Sequence, residues 1–176
     1  AKTAKVRFTG RQGRANYNPN NGTVKMFNES RVSGQISATN DLKTNLDMLG
    51  AKGGYILAHE IAHAATFTRL ETFNLAKQMG TLDKLPAELR EAGEGLDNLL
   101  GRYKALLKER GIATGEVPSP GYAGNNLHEF VAEVLTEPET LKLLSTIPGN
   151  PVAGRPRSAM QELIGLLRRV LNIGPK

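Results

Sequence analysis

One stretch, Gly-Gly-Tyr-Ile-Leu-Ala-His-Glu-Ile-Ala-His-Ala-Ala-Thr-Phe-Thr-Arg at 53–69, constrains this chain more than any other. At its centre His59 and His63 stand four residues apart, with Glu60 directly after the first. On a helix a four-residue step turns the direction by only about 40°, so both imidazoles leave one face. Two imidazoles on one face suit two corners of a tetrahedral metal, with room for a third protein ligand and a water. Glu60 lies about 100° further round, where a carboxylate reaches that water instead of competing for the ion. The flanking Ile56, Leu57, Ile61, Ala62, Ala65 and Phe67 are apolar or small. Ionisable side chains inside so apolar a run need a partner, and a metal supplies one. Two satisfied core histidines beside a salt-bridged glutamate would be the plainer account. The complete H-E-x-x-H pattern favours the metal.

The chain has no cysteine, so any ion must be held by histidine and carboxylate alone. That donor set points to one zinc per chain. With 176 residues, 39% hydrophobic and 23% charged, the composition is that of a globular chain able to bury a core. The expectation is a single domain over 1–176. No apolar run approaches the ~20 residues of a membrane span, so no membrane partner is expected. The opening Ala-Lys-Thr-Ala-Lys has no signal-peptide core and no initiator Met. That is what a fragment of a larger phage or secreted protein would show. The net charge is +6, with basic residues bunched at Lys2, Lys5, Arg7, Arg11 and Arg14 and again at Arg155, Arg157, Arg168 and Arg169. Nucleic acid is a conceivable partner, but no aromatic residues interleave the charges. A solvated basic face is the better reading.

Periodicity and turn chemistry give the remaining outline. Residues 6–8 read as a weak strand and 11–14 as loop. Residues 15–17 and Thr23–Phe27 read as a hairpin around the Asn-Pro-Asn-Asn-Gly turn at 18–22. A further strand is expected at 34–38, then a short helix from 39–41 to 47–49. Gly53-Gly54 is expected to end the segment before the motif helix. Residues 69–79 either continue that helix or begin a second, stopping at Gly80. Leu85-Pro86 opens another helix through Arg110 with a leucine-rich core stripe, and Gly93 and Gly95 predict a kink or break. A loop is expected at 111–124, then a helix at 127–136 capped by Asn125 or Asn126. A helix follows from Glu137-Pro138-Glu139 to Ser145, a Pro/Gly loop at 147–156, and an amphipathic helix at 157–172. The fold class is α+β, mainly helical, with a short N-terminal hairpin sheet.

A zinc site needs a third protein ligand, and Tyr122-Ala-Gly-Asn-Asn-Leu-His-Glu-Phe-Val-Ala-Glu133 offers three. Glu129 and Glu133 share a helix face, so one carboxylate could bind the ion and the other hold a ligand histidine. His128 points about 100° away from Glu129. Glu129 could instead serve a capping box with Asn126, and Glu133 could be a surface carboxylate.

H-E-x-x-H followed by Tyr-x6-Glu-Phe-x-Ala-Glu resembles the gluzincin-type zinc metallopeptidases, most closely the anthrax lethal factor type of catalytic domain. Tyr122 and Glu129 have the family's separation, and Phe130, Ala132 and Glu133 fall in register. The layout is also similar to zincin-like modules of large phage and mobile-element proteins, in which a Tyr-x-Pro hairpin precedes the motif, as Tyr17-Asn18-Pro19 does here. The resemblance implies a zincin-like fold with Glu129 as third zinc ligand, Glu133 supporting a ligand and Tyr122 donating to the developing oxyanion. It covers 15–70 and 120–145. Residues 71–119 read as a helical insertion, and Ala62 stands where many members have Gly.

The expected activity is a zinc endopeptidase acting on a protein or peptide, with Glu60 as general base. Zinc and Tyr122 would share the oxyanion. The edge of 23–27 could pair with an extended substrate. The alternative is a non-catalytic, metal-stapled binding or virion-structural module, with nucleic acid on its basic surface. A purely structural zinc usually takes a fourth protein ligand, for which His128 is the candidate, and has no need of Glu60.

Overall fold

The computed structural model describes residues 5–9, 16–18, 20, 23–27, 51–113, 115, 119–152 and 155–173. Its contacts gather into two compact units, 1–64 and 65–176, with the boundary inside one long helix.

In the first unit, strand signals become a three-stranded sheet of order β1-β3-β2, from β1 (Lys5–Thr9), β2 (Asn16–Asn18) and β3 (Thr23–Phe27). The expected hairpin is present: β2 pairs antiparallel with β3, Asn16 opposite Lys25 and Asn18 opposite Thr23. Asn18 starts the turn, its Oδ1 accepting from the Asn20 N–H at 3.0 Å. β1 adds in parallel to the other edge of β3, Lys5 opposite Thr23 and Thr9 opposite Phe27. β3 is therefore the central strand, and the expectation that the edge of 23–27 pairs with an extended substrate is corrected, because β1 and β2 already occupy its two sides. The strand expected at 34–38, the helix expected over 39–49 and the loop at 11–14 lie outside the described residues.

Helix α1 (Ala51–Gln78) is a single 28-residue element. The expectation that Gly53-Gly54 ends the preceding segment is corrected, because the helix has already begun at Ala51. Both glycines fall in its first turn, where the backbone N–H groups have no intrahelical partner and a flexible residue costs least. Of the two options for 69–79, continuation holds. α1 ends where Gly80 takes φ +66°, the Gly80 N–H reaching the Lys77 carbonyl and the Thr81 N–H the Ala76 carbonyl. This paired closure satisfies carbonyls that have no partner further along the helix.

Among its described residues the second unit is helical apart from one hairpin. After a 3-10 turn (Leu82–Lys84) come α2 (Ala87–Glu109), α3 (Pro120–Ala123), α4 (Leu127–Thr136) and α5 (Pro138–Ser145). Strands β4 (Pro148–Val152) and β5 (Arg155–Ser158) lead into α6 (Ala159–Val170). Leu70, Phe73, Leu96, Tyr103, Phe130 and Leu163 are among the buried centre of the core. The leucine stripe of α2 is core, as read.

Three expectations here are corrected. α2 is unbroken at Gly93 and Gly95, which act as contact points. A Cβ at Gly93 would lie 2.2 Å from Phe73, and one at Gly95 would lie 2.5 Å from Leu166. The roughly 1 kcal/mol that each glycine costs a helix is offset by the close approach of α1 and α6. The stretch 147–156 is the body of an antiparallel hairpin, with Pro148 opposite Ser158 and Val152 opposite Arg155, where a loop was expected. Its anchor is Glu162 on α6, a buried carboxylate that accepts from the Asn150 N–H at 2.8 Å, Asn150 Nδ2 at 2.9 Å and Arg102 Nη2 at 2.7 Å. Arg157 therefore belongs to β5, and α6 starts at Ala159. Ser158 and Gln161 form a reciprocal capping box there.

The mainly helical α+β class holds. Among the described residues, no helix is long and apolar enough to cross a membrane.

Candidate metal centre

α1 carries Tyr55, His59, His63 and Phe67 at successive four-residue steps, so the four side chains climb one face with a small drift per step. The Nε2 atoms of His59 and His63 are 3.0 Å apart, and the rings meet edge to face. Two imidazole nitrogens on one tetrahedral ion, at about 2.0–2.1 Å each, would be about 3.3 Å apart. The pair is already near that spacing. His59 and Glu60 are buried, and His63 is half-buried.

The motif of the second unit is built by local capping. Asn126 Oδ1 accepts from the Glu129 N–H at 3.0 Å and fixes the first turn of α4. Glu129 is half-buried, and Glu133, one turn on, is fully buried. The surface alternative for Glu133 is thereby corrected. Asn126 caps the helix through the Glu129 N–H, one of the two bonds of the capping box that the sequence offered. His59, His63 and Glu129 each offer one ligand atom, and these atoms lie within 4.8 Å of one another. The group could hold a metal ion. Two neutral imidazoles and a carboxylate, with no thiolate in the chain, suit a borderline divalent ion.

Tyr122 sits half-buried in α3, the short helix before α4, which corrects the end of the loop expected over 111–124: Ser119 and Pro120 start a helical turn there. There Ser119 caps the turn by accepting from the Tyr122 N–H at 3.1 Å. His128 is not in the metal-capable group. Its ring stacks on Phe67 with centroids 5.0 Å apart, and its Nε2 lies 3.2 Å from Glu71 Oε2 and 3.4 Å from Asn74 Nδ2. The fourth-ligand candidate thus serves as a contact to α1.

Two features went unread in the sequence. The Tyr55 hydroxyl lies 3.3 Å from Nδ1 of His59, on the ring edge away from His63. The only signal for it was a tyrosine one turn before the first histidine. The Phe67–Glu71–Asn74 seat for His128 follows the same spacing along α1, but its partner is more than fifty residues away.

Comparison with protein-family models, with curated proteins and with solved structures finds no significant match.

Proposed function

We propose that the chain is a zinc-dependent endopeptidase of zincin-like type, with His59, His63 and Glu129 as the ligands of one zinc. The observation that carries this reading is the grouping of those three side chains, which leaves one corner of a tetrahedral ion for water or substrate. Catalytic zinc sites take three protein ligands, whereas structural sites usually take four. Bound there, zinc would acidify a water and polarise a carbonyl oxygen.

The chain's own residues supply the rest. Glu60, buried beside His59, takes a proton from the attacking water and returns it to the leaving amine. With His59 bound to the ion through Nε2, its Nδ1 carries the proton and the Tyr55 hydroxyl, 3.3 Å away, is its acceptor. Tyr122 is assigned the oxyanion and Glu133 the support of a ligand histidine, both by the resemblance to gluzincin-type peptidases. The substrate is a protein or peptide. The basic residues near the C-terminus speak for solvation and packing over nucleic-acid binding. Arg157 donates to the Asn150 carbonyl, and Arg169 lies 3.8 Å from Glu91.

Metal analysis of the wild type, Glu129→Ala and Glu133→Ala tests the ligand set, and a peptide-library digest with Glu60→Gln tests the chemistry. One zinc per chain, lost in Glu129→Ala and kept in Glu133→Ala, is expected. Cleavage should fall by about 10²–10⁴ in Glu60→Gln with zinc retained. A folded wild type that binds no zinc would overturn the reading.

A further inference from the structure

His128 stands directly before Glu129 on α4, yet it faces a different set of atoms. Its ring lies against Phe67, and its Nε2 reaches Glu71 and Asn74. On α1 these three residues extend a stripe that begins with His59 and His63, the members following one another at steps of four, four, four and three. Neighbours on such a stripe overlie each other turn by turn. The helix that presents the two imidazoles therefore also presents the seat on which the ring of residue 128 rests.

We propose that His128 is a positioning residue for the metal site, setting where along α1 its neighbour Glu129 is held. The inference rests on the reading of His59, His63 and Glu129 as ligands. About 100° separates successive side chains on α4, so the ring can seat on Phe67 while the next carboxylate turns toward a different target. Asn126 fixes the α4 first turn in conformation; the His128 seat fixes it in height. A slide of α4 along α1 by a single residue would move Glu129 about 1.5 Å, several times the tolerance of a metal–oxygen bond.

The ion pair adds little to stability. The Glu71 side chain is 40% exposed, and an ion pair that open to solvent contributes at most about 1 kcal/mol. What the arrangement supplies is register: a flat ring on a flat ring, with a polar atom directed to one of two neighbouring partners. Metal sites depend on such supporting contacts, whose loss commonly weakens metal binding about 10–100-fold.

The test compares zinc dissociation constants, by chelator competition on the full chain, for wild type, His128→Ala, Glu71→Ala and the double variant. Cobalt-substituted absorption spectra report ligand geometry in parallel. Each single change is expected to weaken zinc about tenfold and to alter the cobalt bands. The double variant should be no weaker than the weaker single, because both remove one contact. His128→Gln, which places an amide nitrogen near the position of Nε2, should return affinity to within about threefold of wild type. Variants that bind within about twofold of wild type, or losses that multiply to about a hundredfold in the double, overturn the positioning role. Should His128→Ala fail to fold, Glu71→Ala and His128→Gln carry the test by themselves. A wild type that binds neither zinc nor cobalt overturns the metal reading and this one with it; a wild type that binds, with variants that match it, overturns the positioning role alone.

Discussion

The hydroxyl of Tyr55 lies 3.3 Å from Nδ1 of His59, one helical turn away on the same face of α1. A ring nitrogen that donates to a fixed acceptor settles which tautomer the imidazole adopts and leaves the other nitrogen able to bind a metal. Tyr55→Phe keeps the ring and removes only the acceptor. Zinc affinity is expected to fall about tenfold, with the thermal unfolding of the metal-free protein unchanged. Titration calorimetry beside a melting curve checks it, and equal affinity in the two proteins would remove Tyr55 from the site.

Asn126 governs the start of α4 through one bond, from the Glu129 N–H to its side-chain oxygen. Asn126→Ala should cost about 1 kcal/mol of stability, and Asn126→Ser should recover most of it, because a serine oxygen can accept the same bond. Urea unfolding of the three proteins decides the point. Equal midpoints would mean that tertiary contacts alone hold the first turn of α4.

Glu162 accepts from Asn150 twice and from Arg102 once while almost wholly buried. Glu162→Ala leaves those donors unsatisfied and should destabilise the protein by about 2–4 kcal/mol. Amide hydrogen exchange should then rise first in 148–158. Uniform exchange across the second unit would show that the hairpin does not depend on this anchor.

Burial pushes the Tyr103 phenol up to about 12 from 10.0, and the nearby Glu137 and Glu133 carboxylates act in the same direction. Its hydroxyl donates to the Pro120 carbonyl at 3.1 Å. The folded state therefore holds this proton more tightly than the unfolded chain does. The contribution is complete below pH 10.0 and is lost as pH rises through about 12, since the unfolded state deprotonates first. Tyr103→Phe should be less stable by about 1 kcal/mol at pH 9, through the lost hydrogen bond. That gap should narrow as the pH approaches 11.5. A gap that stays constant would assign Tyr103 an ordinary titration.

Local chemistry was legible in the sequence, and distant partners were not. Asn126, Glu137 and Gly80 mark helix ends because a cap is decided within a few residues, and those ends lie where they were read. His59 and His63 were legible for the same reason, since a four-residue step fixes their common face. Gly93 and Gly95 were misread because their meaning lies in Phe73 and Leu166, side chains on other helices. The hairpin at 148–158 was misread because its Pro and Gly residues signal a loop, while its anchor sits on the following helix. His128 was weighed as a metal ligand, and nothing near it in sequence announces the seat it takes on α1.

The two glycines of α2 also bear on how this chain can change over generations. Position 93 is filled by the ring of Phe73, and position 95 by the branch of Leu166. A side chain at 93 would run into the Phe73 ring, whereas one at 95 meets only the end of the Leu166 side chain, which can turn aside. Substitution at 93 should be found in descendants only together with a smaller residue at 73, and substitution at 95 more often with a changed residue at 166. The two pairs should vary independently of each other, because they lie on different helix-to-helix contacts.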